Sequence, residues 1–342
     1  MKVLLRAYTQ LNVGDDLFLH ILSKRYPKAE FILAQETGGM YDKFLSTHDN
    51  ISDFSGHGIS YRIMRRLGHT PYIDKKLFLG IDAVVYIGGS IFMENENDRF
   101  YENAIIAETA YCAKKKIPYY ILSCNFGPYT TSGYAERMRE CFKHCTDVCF
   151  RDTASYGLFS SVSRYAPDAA FSIDMQKPQI RENVLGISLI SYKNRNYGDE
   201  RSYINQTERL IREQLSDGGA VELFCFCTNE GDRTAADELI LRFDDAQRNM
   251  ISAVSYDGDL ECFIRRFISC GRIFAARFHA VMLALIYKIP LIVHIYSEKT
   301  ANVLRDMKIY EKLENDRFKT YDLCGDYVEN LQKIWQMLDK LC

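Results

Sequence analysis

The stretch from Asp82 to Ser90, DAVVYIGGS, contains five consecutive apolar or aromatic residues followed by a pair of glycines. An unbroken apolar run of this length predicts a strand that is covered on both faces, as in a parallel sheet. The segment 100–116, FYENAIIAETAYCAKKK, follows with helical spacing, and IPYYILSC at 117–124 returns to a strand pattern. We therefore predict one strand–helix–strand unit of an α/β fold here.

The same alternation of strands and amphipathic helices extends in both directions along the chain. Further strands of the first half are predicted at 2–8, 30–36 and 147–152. The polar stretch DMQKPQIREN at 174–183 interrupts the alternation, and a second series of strands is predicted at 184–190, 220–227, 249–256, 271–278 and 290–296. The pattern predicts two doubly wound, Rossmann-like α/β domains, 1–178 and 179–342, that face a cleft.

The second domain is predicted to end in one amphipathic helix, DYVENLQKIWQMLDKL at 326–341. Its apolar face is expected to pack across the two domains. The alternative is that this face contacts a membrane surface.

Composition excludes several classes of function. The chain has 342 residues and a net charge of −2, so there is no whole-chain electrostatic case for binding nucleic acid. The N-terminal MKVLLRAYTQ lacks the apolar core of a signal peptide, and the longest apolar run is broken by Lys288 and Pro290. We expect a cytoplasmic protein without an integral membrane segment.

The cysteines favour reduced thiols over disulfides or a metal centre. There are 11 of them, an odd number, in a chain far longer than small disulfide-rich domains. The groups CFKHCTDVC and CFC lack the paired spacing of a structural zinc site. No metal is expected.

Polar residues and glycines follow directly after the predicted strands. They are Asn12, Gly14, Asp15 and Asp16; Gly88, Gly89 and Ser90; Asn125, Gly127 and Pro128; Arg151, Asp152 and Ser155; Arg277 and His279; and Tyr296, Ser297 and Lys299. Taken singly, such residues are often helix caps, turns or internal ion pairs. Because the carboxyl ends of parallel strands share one edge of a sheet, the whole set predicts a site in the cleft.

Three of these residues are cations and one is an imidazole. Arg277, Lys299 and Arg151 are predicted to form an anion-binding clamp, with His279 beside it as a proton-transfer group. The sequence has no GxGxxG after a strand, no GxxxxGK[ST], no GxSxG and no HExxH. This argues against a dinucleotide enzyme, a P-loop NTPase, a serine hydrolase of the elbow type and a zinc hydrolase.

The order of these motifs resembles the polysaccharide pyruvyl transferases over roughly residues 10 to 305. The matching elements are NVGDD, YIGGSIF, SCNFGP and FRDTAS, followed by the long ARFHAVMLALIYKIPLIVHIYSEKT at 276–300. The run IGGS departs from the family, which often has more glycines at that turn. The resemblance implies an architecture like that of type-B glycosyltransferases. It also implies transfer of a pyruvyl group from phosphoenolpyruvate (PEP) to two hydroxyls of a sugar, giving a cyclic ketal, in the synthesis of capsule or exopolysaccharide.

The resemblance further implies roles for individual residues. The catalytic residues would be His279 and Arg277. PEP would be bound by Arg151, Arg277, Lys299 and Ser90. The acceptor sugar, lipid-linked or nucleotide-linked, would contact Asn12, Asp15 and Asn125. No cofactor is implied beyond PEP itself as the donor substrate.

Two other functions fit the same architecture. A glycosyltransferase could use the cations to bind the diphosphate of a nucleotide sugar, and a catalytically inactive protein of a glycan pathway could keep the fold alone. A lipid-linked acceptor would bring the protein to the inner face of the cytoplasmic membrane as a peripheral contact.

Overall fold

The computed structural model describes residues 1–35, 37–54, 73–95, 99–193 and 199–341, and it contains two parallel sheets. The strands of the first are β1 (Lys2–Arg6), β2 (Glu30–Leu33), β3 (Ile51–Asp53), β4 (Ala83–Ile87), β5 (Tyr119–Cys124), β6 (Asp147–Phe150) and β7 (Arg164–Tyr165). Those of the second are β8 (Arg181–Ser188), β9 (Ala220–Cys225), β10 (Ile251–Ser255), β11 (Cys270–Ala275) and β12 (Leu291–Val293). The predicted α/β fold with two Rossmann-like sheets is confirmed.

Both sheets reverse their strand order near the middle. The first runs β3-β2-β1-β4-β5-β6-β7 and the second β10-β9-β8-β11-β12, with every pair parallel. A crevice therefore opens between the ends of β1 and β4, and another between the ends of β8 and β11. The predicted site stretches NVGDD, IGGS and RFH follow β1, β4 and β11, so the sheet order places them at these two crevices.

The ten predicted strands are all present, whereas β3 and β7 were not predicted. Both lie at edges of the first sheet and have only three and two residues. An element of that length is too short to show a period of two in its side chains. By contrast, β4 lies inside the sheet and was recognisable from its apolar run, because four of its five residues are buried.

The helices lie on the faces and between the sheets. In the described part of the first half they are α1 (Val13–Arg25), α2 (Asp42–Leu45), α3 (Phe100–Lys115), α4 (Ser132–Phe142) and α5 (Thr153–Phe159). In the second half they are α6 (Glu200–Ser216), α7 (Asp232–Ile240), α8 (Asp245–Arg248), α9 (Leu260–Ile268), α10 (Phe278–Ile286), α11 (Glu298–Asp306) and α12 (Gly325–Asn330). Helix α10 is buried on almost every side, because it packs between the second sheet and α1 of the first half.

The two halves share one apolar cluster, which includes residues of α1, α9 and α10. The start of α1 also bonds directly to the second sheet, since the backbone N–H of Val13 donates to the carbonyl of Phe226 at 3.0 Å. The expected boundary at residue 178 falls in the connection between β7 and β8, which contains Pro178.

A buried carboxyl group links the two halves. Asp16 of α1 accepts hydrogen bonds from the hydroxyls of Tyr41 and of Tyr256, the latter from the second half at 2.7 Å. Burial raises the pKa of Asp16 to about 8, although both tyrosine hydrogen bonds oppose this rise. At neutral pH the folded protein therefore holds a proton here that the unfolded chain has released.

We expect Asp16→Asn to flatten the pH dependence of stability. Between about pH 4, where a free aspartate ionises, and pH 8 the folded state binds more protons at Asp16 than the unfolded state does. The free energy of unfolding of the wild type should then fall as pH rises, by up to about 1.4 kcal/mol per pH unit from this group. Urea unfolding at pH 5, 6, 7 and 8 measures the slope. Equal slopes in both proteins would contradict the prediction; exposed Asp49→Asn controls for the lost charge.

The prediction of one continuous final helix at 326–341 was wrong. The structure has α12, then a 3₁₀ turn at Leu331–Lys333, then consecutive turns to residue 341. The guanidinium of Arg164 donates to the carbonyls of Lys333 and Ile334, which a regular helix would use internally. The apolar spacing was read correctly, because Tyr327, Ile334, Trp335 and Leu338 are buried.

This C-terminal segment, residues 325–341, packs on the first half of the chain. Trp335 donates through Nε1 to Ser172 Oγ at 2.8 Å, and its ring meets that of Tyr26 edge to face. Asp339 accepts from the Arg25 guanidinium and from the Tyr26 hydroxyl. Its apolar face is thus covered by protein.

Candidate functional site

The candidate site lies where the crevices of the two sheets meet. From the first sheet come the turn between β1 and α1, with Gly14 and Asp15, and the turn Gly88–Ser90 after β4. From the second come the start of α10 after β11 and the start of α11 after β12. The first-sheet turns are adjacent, since a Cβ built on Gly88 would lie 3.6 Å from Asp15 Oδ1.

Arg151, just after β6, is the most buried cation of the site, with a side chain only 1% exposed. One guanidinium nitrogen donates to Asp168 Oδ2 at 2.8 Å and another to Asn125 Oδ1 at 2.7 Å. The guanidinium also lies over the ring of Phe278, 4.1 Å from its centroid. Its Nε has no hydrogen-bond partner among the described residues. The planar group is thus fixed in orientation with donor capacity left over.

Gly89 allows the backbone after β4 to approach this guanidinium. A Cβ at that position would lie 2.7 Å from a terminal nitrogen of Arg151. Any larger residue would therefore displace the arginine or the turn. The second glycine of the predicted IGGS turn has a packing reason that the sequence could not show.

His279 is the second residue of α10 and faces α1 of the other half. Its ring packs against the backbone of Gly14 and meets the rings of Phe18 and Phe278 edge to face, each at 5.0 Å. Its Nε2 lies 3.9 Å from Asp168 Oδ1 and makes no hydrogen bond within the described part of the chain. Burial, together with the charges of Arg151 and Lys299, lowers the pKa of His279 well below its ordinary value. The imidazole is therefore neutral at physiological pH.

Lys299 of α11 connects the two halves at the centre of the site. Its Nζ lies 3.3 Å from Ser90 Oγ, which in turn donates to Asn125 Oδ1 at 3.2 Å. Burial and the charges of Arg151 and Arg277 lower the pKa of Lys299 to about 8. The two arginines are themselves paired with carboxylates, Arg151 with Asp168 and Arg277 with Glu230 and Asp232.

Arg277 is placed differently from the expectation that it is a free anion contact. Its guanidinium is bound by the carboxylates of Asp232 and Glu230, and its side chain is 10% exposed. Asp232 is wholly buried and also accepts from the backbone N–H of Cys227 at 3.0 Å. The charge of Arg277 is therefore largely offset by carboxylates that the sequence reasoning had not included.

The two asparagines of the expected acceptor site have different surroundings. Asn12 caps α1, because its Oδ1 accepts from the backbone N–H of Gly14 at 3.0 Å, which is the plain structural reading of NVGDD. Asn125 belongs to the polar network, since its Oδ1 accepts from both Ser90 and Arg151. The structure thus joins Asn125 to the predicted PEP contacts rather than to Asn12.

Three acidic residues of the site were missed. Asp168 follows β7, which is too short to be recognised from sequence. Glu230 and Asp232 follow β9, which was predicted correctly at 220–227. The other residues were selected as polar groups just after a strand. The same rule applies to the stretch TNEGD at 228–232 and could have found this pair.

Two further findings bear on the expected absences. Within the described ranges, no three His, Cys, Asp or Glu side chains are grouped so that they could hold a metal ion, and the ten cysteines described are all free thiols. No helix in the same ranges has the length and apolarity needed to cross a bilayer.

We expect Gly14→Ala to lower, about a hundredfold, the kcat of the PEP-dependent reaction that the family resemblance implies. The added methyl would overlap the imidazole of His279, the proton-transfer group predicted from the sequence, and misplacing such a group by about 1 Å can cost that much. Steady-state kinetics and thermal melting of the purified variant measure the effect. Gly157→Ala is the matched control, because an added Cβ there meets nothing within 4 Å. A variant at Gly14 with unchanged kcat would show that the position of the ring is not critical.

Comparison with known proteins gives both a family and a fold. The family model described as polysaccharide pyruvyl transferase matches residues 12–298, most of the chain. Among solved structures, the Anabaena protein Alr3699/HepE in complex with UDP and glucose is similar with a TM-score of 0.58 at 12% identity, covering 99% of this chain and 100% of the other. The UDP-GlcNAc 2-epimerase of Methanocaldococcus jannaschii gives a TM-score of 0.55 at 11% identity, covering 99% of each chain.

A third similar structure is the UDP-GlcNAc 2-epimerase of Neisseria meningitidis bound to UDP-GlcNAc, with a TM-score of 0.53 at 13% identity. The comparison covers 99% of this chain and 100% of that one. At such identities the likeness concerns the fold alone, and it supports the glycosyltransferase-like pair of Rossmann-like domains.

Proposed function

Because this chain belongs to the polysaccharide pyruvyl transferase family, we propose that it transfers the pyruvyl group of PEP to two hydroxyls of a sugar, forming a cyclic ketal. The observation that carries the proposal is the convergence of Arg151, His279 and Lys299 around the turn that ends in Ser90. They come from both halves of the chain, and two of them retain an unpaired buried nitrogen among the residues described.

The donor fits this group of side chains by charge. PEP carries a carboxylate and a phosphate, so it requires several cationic contacts in a small volume. We assign the carboxylate to Arg151, whose planar guanidinium is held by Asp168 and Asn125. We assign the phosphate to Lys299, a compact point charge, with the hydroxyl of Ser90 beside it.

The reaction needs one group to take a proton from the attacking sugar hydroxyl. We assign this role to His279, whose imidazole is neutral and whose Nε2 has no hydrogen-bond partner among the described residues. The enol phosphate is already an activated donor, so the proposal uses neither a metal nor a further cofactor. Cleavage of the bond between C2 of PEP and the phosphate oxygen releases phosphate, whose negative charge Lys299 would stabilise as it leaves.

We propose that Arg277 acts by holding the TNEGD turn rather than by binding PEP directly. Its three donor nitrogens are engaged by Asp232 and Glu230, which fixes Glu230 beside the site. This modifies the role implied by the family resemblance, in which Arg277 is a catalytic residue and a PEP contact.

The acceptor is proposed to be a sugar of a surface polysaccharide precursor, lipid-linked or nucleotide-linked, with Asn12 near it. Asn125, which accepts from Ser90 and Arg151, lies instead with the proposed PEP contacts. We propose a cytoplasmic enzyme that meets a lipid-linked acceptor at the inner face of the membrane, without a membrane span of its own in the described chain. Capsule and exopolysaccharide are the corresponding classes of product.

A nucleotide-sugar-dependent glycosyltransferase is the second candidate. It is favoured by the similarity to the Anabaena protein, whose solved complex contains UDP and glucose. In that case the same cations would contact a diphosphate rather than PEP.

One assay distinguishes the two candidates. The purified protein is incubated with PEP and a panel of galactosides, mannosides and N-acetylhexosaminides, and phosphate release is measured together with the methyl proton signal of the ketal. We expect acceptor-dependent phosphate release that Lys299→Ala abolishes and that Lys288→Ala, at an exposed lysine, leaves intact. Turnover of a UDP-sugar without any turnover of PEP would reject the proposal.

A further inference from the structure

Asp15 occupies a position that the proposed function does not yet use. It stands in the first turn of α1, and its Oδ1 faces the backbone of Gly88 in the glycine turn after β4. The residue before it, Gly14, packs against the ring of His279. The carboxyl of Asp15 and the imidazole of His279 therefore both lie at the first turn of α1.

The carboxyl of Asp15 is surrounded by charge yet held by no hydrogen bond from the residues described. Two cations, Lys299 and Arg151, and two acids, Glu230 and Asp168, lie within electrostatic range. Its neighbour Asp16 differs, because two tyrosine hydroxyls bind that carboxyl away from the site. Asp15 is thus a carboxyl group left available in the cleft beside the proposed PEP contacts.

We propose that Asp15 is the general acid that protonates the methylene carbon of PEP. This rests on the proposed function and replaces the acceptor contact first expected for Asp15. The ketal-forming reaction needs two separate proton transfers, and the first turn of α1 brings a carboxyl, on Asp15, and an imidazole, packed on Gly14, to the same part of the site. One group can then give a proton to the donor while the other removes one from the acceptor.

The surroundings keep a proton on Asp15 near neutral pH. Burial raises the pKa of this carboxyl to about 7, and Glu230 and Asp168 add to the rise, while Lys299 and Arg151 oppose it. Other groups of the site are less suited to donate: His279 is neutral, and Asp168 and Glu230 are paired with arginines. Lys299, with its pKa lowered to about 8, is the remaining rival donor.

The step balances as follows. The proton on the Asp15 carboxyl passes to C3 of PEP, making a methyl group, while the first sugar hydroxyl forms a bond to C2 and gives its proton to His279. The second hydroxyl then bonds to C2 as the bond from C2 to the phosphate oxygen breaks, and phosphate leaves with the electron pair. The second hydroxyl gives its proton to the carboxylate of Asp15, and His279 gives its proton to the phosphate. Both side chains are then restored, and one proton has moved to carbon and one to phosphate.

The test compares Asp15→Asn with Asp15→Glu and the wild type. Asparagine has the shape of the protonated carboxyl but cannot give up a proton, so we expect kcat to fall about a hundredfold at saturating substrates, with the Kd for PEP within threefold of wild type. Glutamate should recover part of kcat. The wild-type kcat should fall as pH rises through about 7, and the residual activity of Asp15→Asn should lack that fall.

Two outcomes would overturn the role of Asp15 while leaving the proposed function in place. In both of them the wild type turns over PEP. One is a kcat for Asp15→Asn within threefold of wild type together with a raised KM for the acceptor, which would make Asp15 an acceptor contact. The other is loss of PEP binding in parallel with kcat in both variants, which would make the effect structural; thermal melting checks the fold. A wild type that does not turn over PEP would instead reject the proposed function itself.

Discussion

Replacing His279 with alanine is expected to lower kcat about a thousandfold while the protein stays folded. The expectation follows from a neutral imidazole, placed by Gly14, Phe18 and Phe278, whose Nε2 is unpaired among the described residues. Loss of a positioned base typically costs between about a hundredfold and about ten-thousandfold. The measurement is PEP-dependent phosphate release with a saturating acceptor, with near-UV circular dichroism to check packing.

The matched control for that variant is His144→Ala, an exposed histidine after α4 that lies outside the site. It should leave kcat unchanged. If His279→Ala retained near-normal turnover, the imidazole would be a packing residue between α1 and α10, and the base would have to be sought elsewhere.

The second large effect is expected at Arg151. Arg151→Met removes one partner of a fully buried ion pair and leaves the carboxylate of Asp168 without the cation that pairs with it. Breaking a buried pair in this way typically costs about 3–5 kcal/mol of stability. We also expect PEP binding to be lost, because the proposed carboxylate contact is removed. Chemical denaturation and calorimetric titration with PEP measure the two effects.

A double variant separates the two consequences. In Arg151→Met/Asp168→Asn the residue opposite the missing cation carries no charge, so most of the stability should return while PEP binding remains absent. Arg209→Met, which breaks an exposed pair with Glu213, should cost no more than about 0.5 kcal/mol. Restored PEP binding in the double variant would show that Arg151 serves the fold alone.

The sequence was most informative where a feature repeats. Strands such as β4 and β11 were recognisable because several apolar residues stand in a row, and each is followed by a polar or glycine-rich turn. The location of Lys299, Ser90 and Arg151 at one edge then follows from parallel topology alone. Their mutual contacts confirm that these three residues lie together.

Features that depend on long-range partners could not be read in this way. Nothing near Arg277 in the chain shows that Asp232, 45 positions away, would engage its guanidinium. Likewise Arg164, from the edge strand β7, donates to two backbone carbonyls within the segment predicted as one helix at 326–341. Such pairings are set by tertiary packing, and tertiary packing overrides the structure that the local sequence pattern predicts.

The return of residues 325–341 to the first half has a consequence for any attempt to dissect the molecule. A fragment cut between the sheets, ending near Asp174, would lose the cover that Trp335 provides for Tyr26 and the partner of Arg25. The complementary fragment would carry that same tail with its buried tryptophan exposed. A graft that joins residues 1–173 to 325–341 would restore that cover, yet it would still leave bare the apolar face of α1 that packs on α9 and α10.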